Sequence, residues 1–488
     1  MTHRLPLLLV VLCLISAPVT AQWNLMGEPF HGGVGDQLGR WEQVDISGDG
    51  HRIAYGTPNN SDNFPWSGYA KVFEWTGDEW VQMGAGFHGV DPLQDEGTGS
   101  SVSLDQDGST FALGIAYSPN SMGWRTGGVR IYDWNGAEWT QRGDQIEGEG
   151  DPNPFHQTDT FGQSVSLSAD GNTVIIGAEG NTLEPGVLNF QGHAKVYDWD
   201  GSTWVQRGQD LFGLTGLEQF GRVVRISADG QRVAVAARSR WNAEETAHVG
   251  AVTAYAWNAE EGVWEEMGDP LMGTVNNAMY GESISLDGDG TTLAITAKFG
   301  LTEVRDWNGA DWVIRGDLDQ SGGLMDMSSV SLSADGDVIA IGDPWFNWMD
   351  GRMRVLEWNE NDWELVEETL EPLPDGASLQ GFGLALALND NAGRLIVGSG
   401  YTNRIEVFER EGFVGTPTPA EPRFHAYPNP TAGPLRLGVQ PNASWSLWSV
   451  QGQHIFDGSG EEADLSRCVP GTYLLHCEGD VIRVVVQK

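Results

Sequence analysis

Cysteine is nearly absent: three occur in 488 residues. Cys13 lies in an apolar stretch near the start, which leaves Cys468 and Cys477. They show no metal-site spacing, and in an exported chain they could form one disulfide. Basic residues are scarce too. Against 68 Asp and Glu stand 27 Lys and Arg, a formal net charge of −41. Nucleic acids and anionic membrane surfaces are both bound through Lys and Arg, so neither partner is expected. No apolar run is long enough for a transmembrane helix, and no segment shows a capped helical period. Catalytic patterns are missing as well: there is no Gly-x-Ser-x-Gly elbow, zinc spacing or phosphate loop. His31, His88, His156 and His248 do not recur with any period. An enzyme is therefore not expected.

The start reads as an export signal. His3 and Arg4 precede an apolar run from Leu5 to Ile15, and Val19-Thr20-Ala21 offers small residues for cleavage before Gln22. Residues 1–21 are the expected signal peptide, and the mature chain is expected outside the cell or on its outer surface.

Repetition decides the fold. One unit runs Phe161-Gly162-Gln163-Ser164-Val165-Ser166-Leu167-Ser168-Ala169-Asp170-Gly171, continues through Thr173-Val174-Ile175-Ile176, and reaches Val196-Tyr197-Asp198-Trp199 and Trp204. Its turn glycine recurs at Gly50, Gly108, Gly171, Gly230, Gly290, Gly336 and, one residue late, Gly393. Each copy holds four strand-like segments punctuated by Asp-Gly or Asn-Gly turns. A two-residue loop at Asn135-Gly136 would put Trp139 opposite Tyr132, with Trp134 on the same face. Twelve of the 21 Trp fall in six such hairpins, and their apolar area is best used to pack one sheet on the next.

The seventh copy lacks its fourth strand after Val407-Phe408. Trp23-Asn24-Leu25-Met26-Gly27 matches Trp80-Val81-Gln82-Met83-Gly84 and supplies it from the other end of the chain. A repeat offset in this way suits a ring rather than a capped solenoid. The expected architecture is all-β: a seven-bladed β-propeller over residues 22–414, closed by the N-terminal strand. A Pro-rich linker follows at 415–422, then a small C-terminal β-sandwich over 423–488. That tail carries six acids against five bases, so almost all the negative charge belongs to the repeats.

Phe161-Gly162, Phe220-Gly221, Tyr280-Gly281 and Phe382-Gly383, with the strands that follow, resemble FG-GAP-type propeller repeats. That family often holds calcium in a longer Asp-rich loop between the first two strands. Here only Asp105-Gln106-Asp107-Gly108 and Asp287-Gly288-Asp289-Gly290 come close. Calcium wants six to eight oxygens and these turns offer too few, so plain hairpin turns are the favoured reading. Asp105, Asp107, Asp287 and Asp289 would be the ligands if calcium bound, and no cofactor is expected. The tail resembles the C-terminal sorting domain of type IX secretion. It opens on Tyr427-Pro428-Asn429-Pro430, carries Pro470-Gly471-Thr472-Tyr473 and ends on Lys488. That resemblance implies the type IX machinery as partner, and export across the outer membrane.

The expected function is recognition or adhesion of an extracellular glycan or protein. A structural surface component and a glycan-active enzyme with a site built from several blades are the alternatives. The connections between second and third strands vary most, and variable loops on a rigid scaffold are where recognition is built. Trp66, Trp124, Trp241, Trp345 and Trp348 lie in them and are the candidate ligand contacts; Phe190, Phe299 and Tyr401 lie in the remaining ones. Asp343, Asp350, Glu244 and Glu245 would disfavour anionic ligands there.

Overall fold

The computed structural model describes residues 23–33, 35–40, 42–89, 96–149, 159–181, 190–318, 328–346, 350–367 and 381–411. Beyond these it describes 426–427, 434–437, 444–449, 454–460, 462–469, 471–477 and 480–486. Residues 1–22, which are expected to hold the signal segment, lie outside these residues, as do the linker 415–422, Trp348 and His156. The chain is all-β, with no α-helix among the described residues. It divides into two compact units, Met1–Phe413 and Val414–Lys488.

In the first unit, four-stranded antiparallel meanders follow one another. The third sheet is typical: Ser164–Leu167, Thr173–Ala178, His193–Trp199 and Trp204–Gln206 pair in chain order. The second strands are β-branched or small, and nearly every residue is buried, because these strands are covered on both faces. Seven such sheets form. The seventh takes Phe382–Leu388, Arg394–Ser399 and Arg404–Arg410 from the end of the repeats, and its fourth strand is Trp23–Leu25. The register there is Trp23 opposite Arg410 and Leu25 opposite Phe408.

The Trp hairpins differ from the sequence expectation in register. Trp134 lies opposite Trp139, and Tyr132 opposite Gln141; the other five hairpins likewise pair Trp with Trp. The loop holds four residues, not two. A two-residue turn of this kind needs positive φ at both central positions, and only Gly136 has it, at 92°. Asn135 instead turns its side-chain carbonyl back to accept from the N–H groups of Ala137 and Glu138.

The turn between first and second strands is also built by side chains. The Ser168 hydroxyl donates to Asp170 at 2.8 Å and accepts from the Thr173 N–H at 3.0 Å, while Gly171 takes φ +64°. In the seventh copy Asn389 and Asn391 replace Ser and Asp, and the left-handed position falls on Ala392 at φ 50° rather than on Gly393. The apparent slip of the glycine is thus a real shift of residue type, stabilised by two asparagines.

Bonds between sheets recur at three levels. At the turn end, backbone N–H groups of Gln106, Ala169, Ala228, Gly288 and Ala334 donate to Ala169, Ala228, Gly288, Ala334 and Asp390, at 2.8–3.1 Å. Asp390 in turn donates to Gly48 of the first sheet at 3.0 Å, and Asp49 to Gln106 at 3.3 Å. Within the first strands, Ser103, Ser166, Ser285 and Ser331 each accept an N–H from the first strand of the next sheet. At the outer edge, the six second-position indoles reach back one sheet. The Trp204 Nε1–H donates to Arg142 O at 2.9 Å, and Trp80, Trp139, Trp264, Trp312 and Trp363 do the same to their counterparts.

The glycine after each of those acceptors is required. Gly143 has φ +72°, and a Cβ there would stand 2.8 Å from the Trp199 ring of the next sheet. The short strands that follow complete the seams: Phe30 lies on Phe73 at 4.7 Å and Phe87 on Tyr132 at 4.6 Å, each reaching into the sheet that follows. The apolar core is accordingly a series of clusters, each drawn from adjoining sheets.

The second unit has two antiparallel sheets, one of Ala426–Tyr427, Pro434–Leu437 and Glu462–Asp464, the other of His454–Ser459, Ser444–Ser449, Gly471–Cys477 and Asp480–Val486. Trp445, Leu447, Leu465 and Leu475 form its core. Cys468 and Cys477 are buried in that same cluster as thiols.

Candidate functional site

The loops between second and third strands are fixed at one end of the sheets. Where each rejoins its third strand it is stitched to the next sheet: Thr98, Phe161, Phe220 and Tyr280 donate N–H bonds to Ser67, Thr126, Gln191 and Val249, at 2.9–3.1 Å. The connections from fourth strand to next first strand arrive at this same end. The Ser-x-Asp-Gly turns occupy the other.

Large apolar side chains are exposed at the loop end. Trp66 is 61% exposed, Met122 63%, Leu214 65% and Phe299 42%. Tyr117, Leu217, Met272 and Val275 are exposed beside them. Three aromatic loop residues also have left-handed backbone: Trp66 at φ 51°, Phe190 at 42° and Phe299 at 69°. Bulky residues pay for that conformation, and such strain gathers at functional positions.

The other candidate tryptophans are less open. Trp124 is half-buried, with the Asn120 side chain accepting its N–H. Trp241 is half-buried against His248, ring centroids 3.9 Å apart, and His248 Nδ1 bonds to Ser239 O. Trp345 packs edge-on to Tyr401 at 5.9 Å, and the Arg40 guanidinium lies over that Tyr401 ring. Trp124 and Trp241 support their own loops and Trp345 packs on the loop of the next sheet; among the described tryptophans only Trp66 stands clear. Glu244, Glu245 and Asp350 are exposed as expected. Asp343 is not: it is buried 3.5 Å from Arg352, so its charge is not presented to a ligand.

The first strands of all seven sheets line a central cavity of about 350 Å³. Its wall is mostly Ser, Val and Leu. Asp45 and Arg225 stand where the repeat has Ser166, and Glu42 where it has Gln163. Arg225 donates to both Glu42 oxygens, at 2.5 and 3.0 Å, so the carboxylate is neutralised. Asp45 is pushed up to about 6 by burial, opposed by the N–H groups of Leu104 and Ile46 and by the Arg225 charge. The sequence signal for this lining was the Ser-x-Ser alternation of the first strands, which reads only as a strand pattern until the neighbouring sheet is in place.

The Asp pairs at the turn end serve the turns. The Asp105 carboxylate accepts the Thr110 N–H, and Asp287 those of Thr291 and Thr292. Asp107 and Asp289 are exposed and cap the next N–H groups. Burial, and then the Asp107 charge, push Asp105 up to about 7; burial pushes Asp287 up to about 6. Among the described residues, neither turn gathers three metal-competent side chains. No protein-family model matches the chain, and no curated protein matches it.

Proposed function

We propose that residues 22–414 are a seven-bladed propeller of FG-GAP-like repeats. The reading rests on the turn-end hydrogen bonds, which pass from sheet to sheet and return from Asp390 to Gly48. It rests also on the pairing of Trp23–Leu25 with Arg404–Arg410. The propeller is an exported recognition module for an extracellular glycan or protein. The tail, residues 423–488, is its type IX sorting domain.

One observation carries the recognition role: exposed aromatic side chains held in strained backbone at a single end of a rigid scaffold. Trp66 and Phe299 are the ligand contacts, with Trp124, Trp241 and Trp345 shaping the loops around them. The test is a glycan and protein array probed with the purified protein, followed by titration of the best ligand. Trp66→Ala with Phe299→Ala should weaken binding at least about tenfold and leave the melting temperature unchanged. Undiminished binding by that double variant would overturn the assignment.

A further inference from the structure

The repeat is most informative where one copy breaks from the others. In the third sheet, His193 opens the third strand and Lys195 follows on the same face. The matching positions elsewhere are Tyr69 and Lys71, Gly128 and Arg130, Ala251 and Thr253, Leu301 and Glu303, Arg352 and Arg354, and Arg404 and Glu406. Histidine occurs in this one copy, so the fold does not demand it.

Three carboxylates surround the pair. Asp159, from the connection before the sheet, brings Oδ1 to 3.5 Å from His193 Nε2. Glu149 and Asp210 lie 2.5 and 3.2 Å from the Lys195 ammonium. The His193 side chain is fully buried and that of Asp159 2% exposed, yet among the described residues neither ring nitrogen nor Asp159 Oδ1 has a hydrogen-bond partner. Buried polar atoms are rarely left so. Phe161 and Phe212 hold the imidazole from two sides, at about 6 Å between centroids. Against the three carboxylates the cluster sets the Lys195 ammonium.

We propose that Glu149, His193 and Asp210 form a divalent-cation site for a zinc-like ion, with Asp159 beside the imidazole and Lys195 as the competing internal cation. An imidazole nitrogen with carboxylate oxygens suits zinc better than calcium, which prefers oxygen alone. The ligand atoms of Glu149, His193 and Asp210 lie within 4.8 Å of one another. Ligands about 2.1 Å from a tetrahedral zinc stand roughly 3.4 Å apart, so a small contraction closes the site once Lys195 swings to solvent. The ion would tie Glu149, ahead of the third sheet, to the third strand and to Asp210, which follows the fourth.

The test titrates Zn²⁺ into the purified protein, by calorimetry and by metal content after dialysis, in calcium-containing buffer that occupies the acidic surface. One ion per chain is expected. His193→Gln and Asp210→Asn should each weaken binding at least about tenfold. Lys195→Met should tighten it by a similar factor, because it removes the competitor without touching a ligand. Asp210 is partly exposed, so its variant decides the matter if His193→Gln fails to fold. Zinc bound equally well by parent, Asp210→Asn and Lys195→Met would mark adventitious surface binding and overturn the proposal. So would no binding by parent or Lys195→Met.

Discussion

At the scale of single residues, the turn between first and second strands shows how one position can be met by different chemistry. Four copies use a serine hydroxyl to donate to the turn aspartate: Ser47, Ser168, Ser227 and Ser333. Asp105 can play that part only while protonated, when it shares its proton with Asp107; its pKa of about 7 follows from burial and from that neighbour. An unfolded Asp titrates near about 4. Folding therefore takes up a proton between these values. The stabilisation is complete below about pH 4 and is lost as pH rises through about 7. Asp105→Ser restores a donor that does not titrate. The variant's advantage over the parent should grow as pH rises from 5 to 8, by up to roughly 3 kcal/mol, read as melting temperatures across that range. A difference that stays flat with pH would contradict the shared proton. The sequence displayed the Asp pair and favoured plain turns, but which N–H groups consume those oxygens depends on a turn geometry that spacing does not specify.

At the scale of elements, the strand pattern, the hairpins and the fourth strand supplied by Trp23–Leu25 were all legible, since period-two alternation and a recurring Trp are local signals. The hairpin register was not. Asn-Gly suggests a two-residue loop, and only the side-chain bonds of Asn135 lengthen it to four. The exposure of the loop tryptophans was equally hidden, because it depends on partners such as His248 and Tyr401 that no spacing rule brings together. The N-terminal strand offers the sharpest test at this scale. Trp23 and Met26 are buried, and Met26 O accepts the Trp80 indole. Deleting residues 22–28 removes the outer strand of the seventh sheet and one seam with the first. The cost should be on the order of 5 kcal/mol, more than a single buried Trp→Ala, measured by denaturant unfolding. A truncated protein with the parent's midpoint would mean that the strand is dispensable.

At the scale of the whole molecule, the division into Met1–Phe413 and Val414–Lys488 matches an uneven distribution of charge: the tail is nearly neutral and the repeats carry the rest. On the proposed assignment the tail serves export. Removing 423–488 should leave the first unit with an unchanged melting temperature but retained in the periplasm, as seen by fractionating cells. Truncated protein at the surface in normal amounts would sink the sorting role. The way the seventh sheet is assembled has a mechanical consequence. Trp23 pairs with Arg410, so the first and last strands of this unit present their ends side by side. Tension drawn between those two ends would peel the bonds of Trp23–Leu25 one at a time, at low force. Tension drawn instead between Arg410 and the loop end would run along Arg404–Arg410, which is bonded to Arg394–Ser399 on one side and to Trp23–Leu25 on the other. Both rows must then slide together. A protein held by its C-terminal side and loaded through a ligand at the loops is thereby pulled along its strong direction.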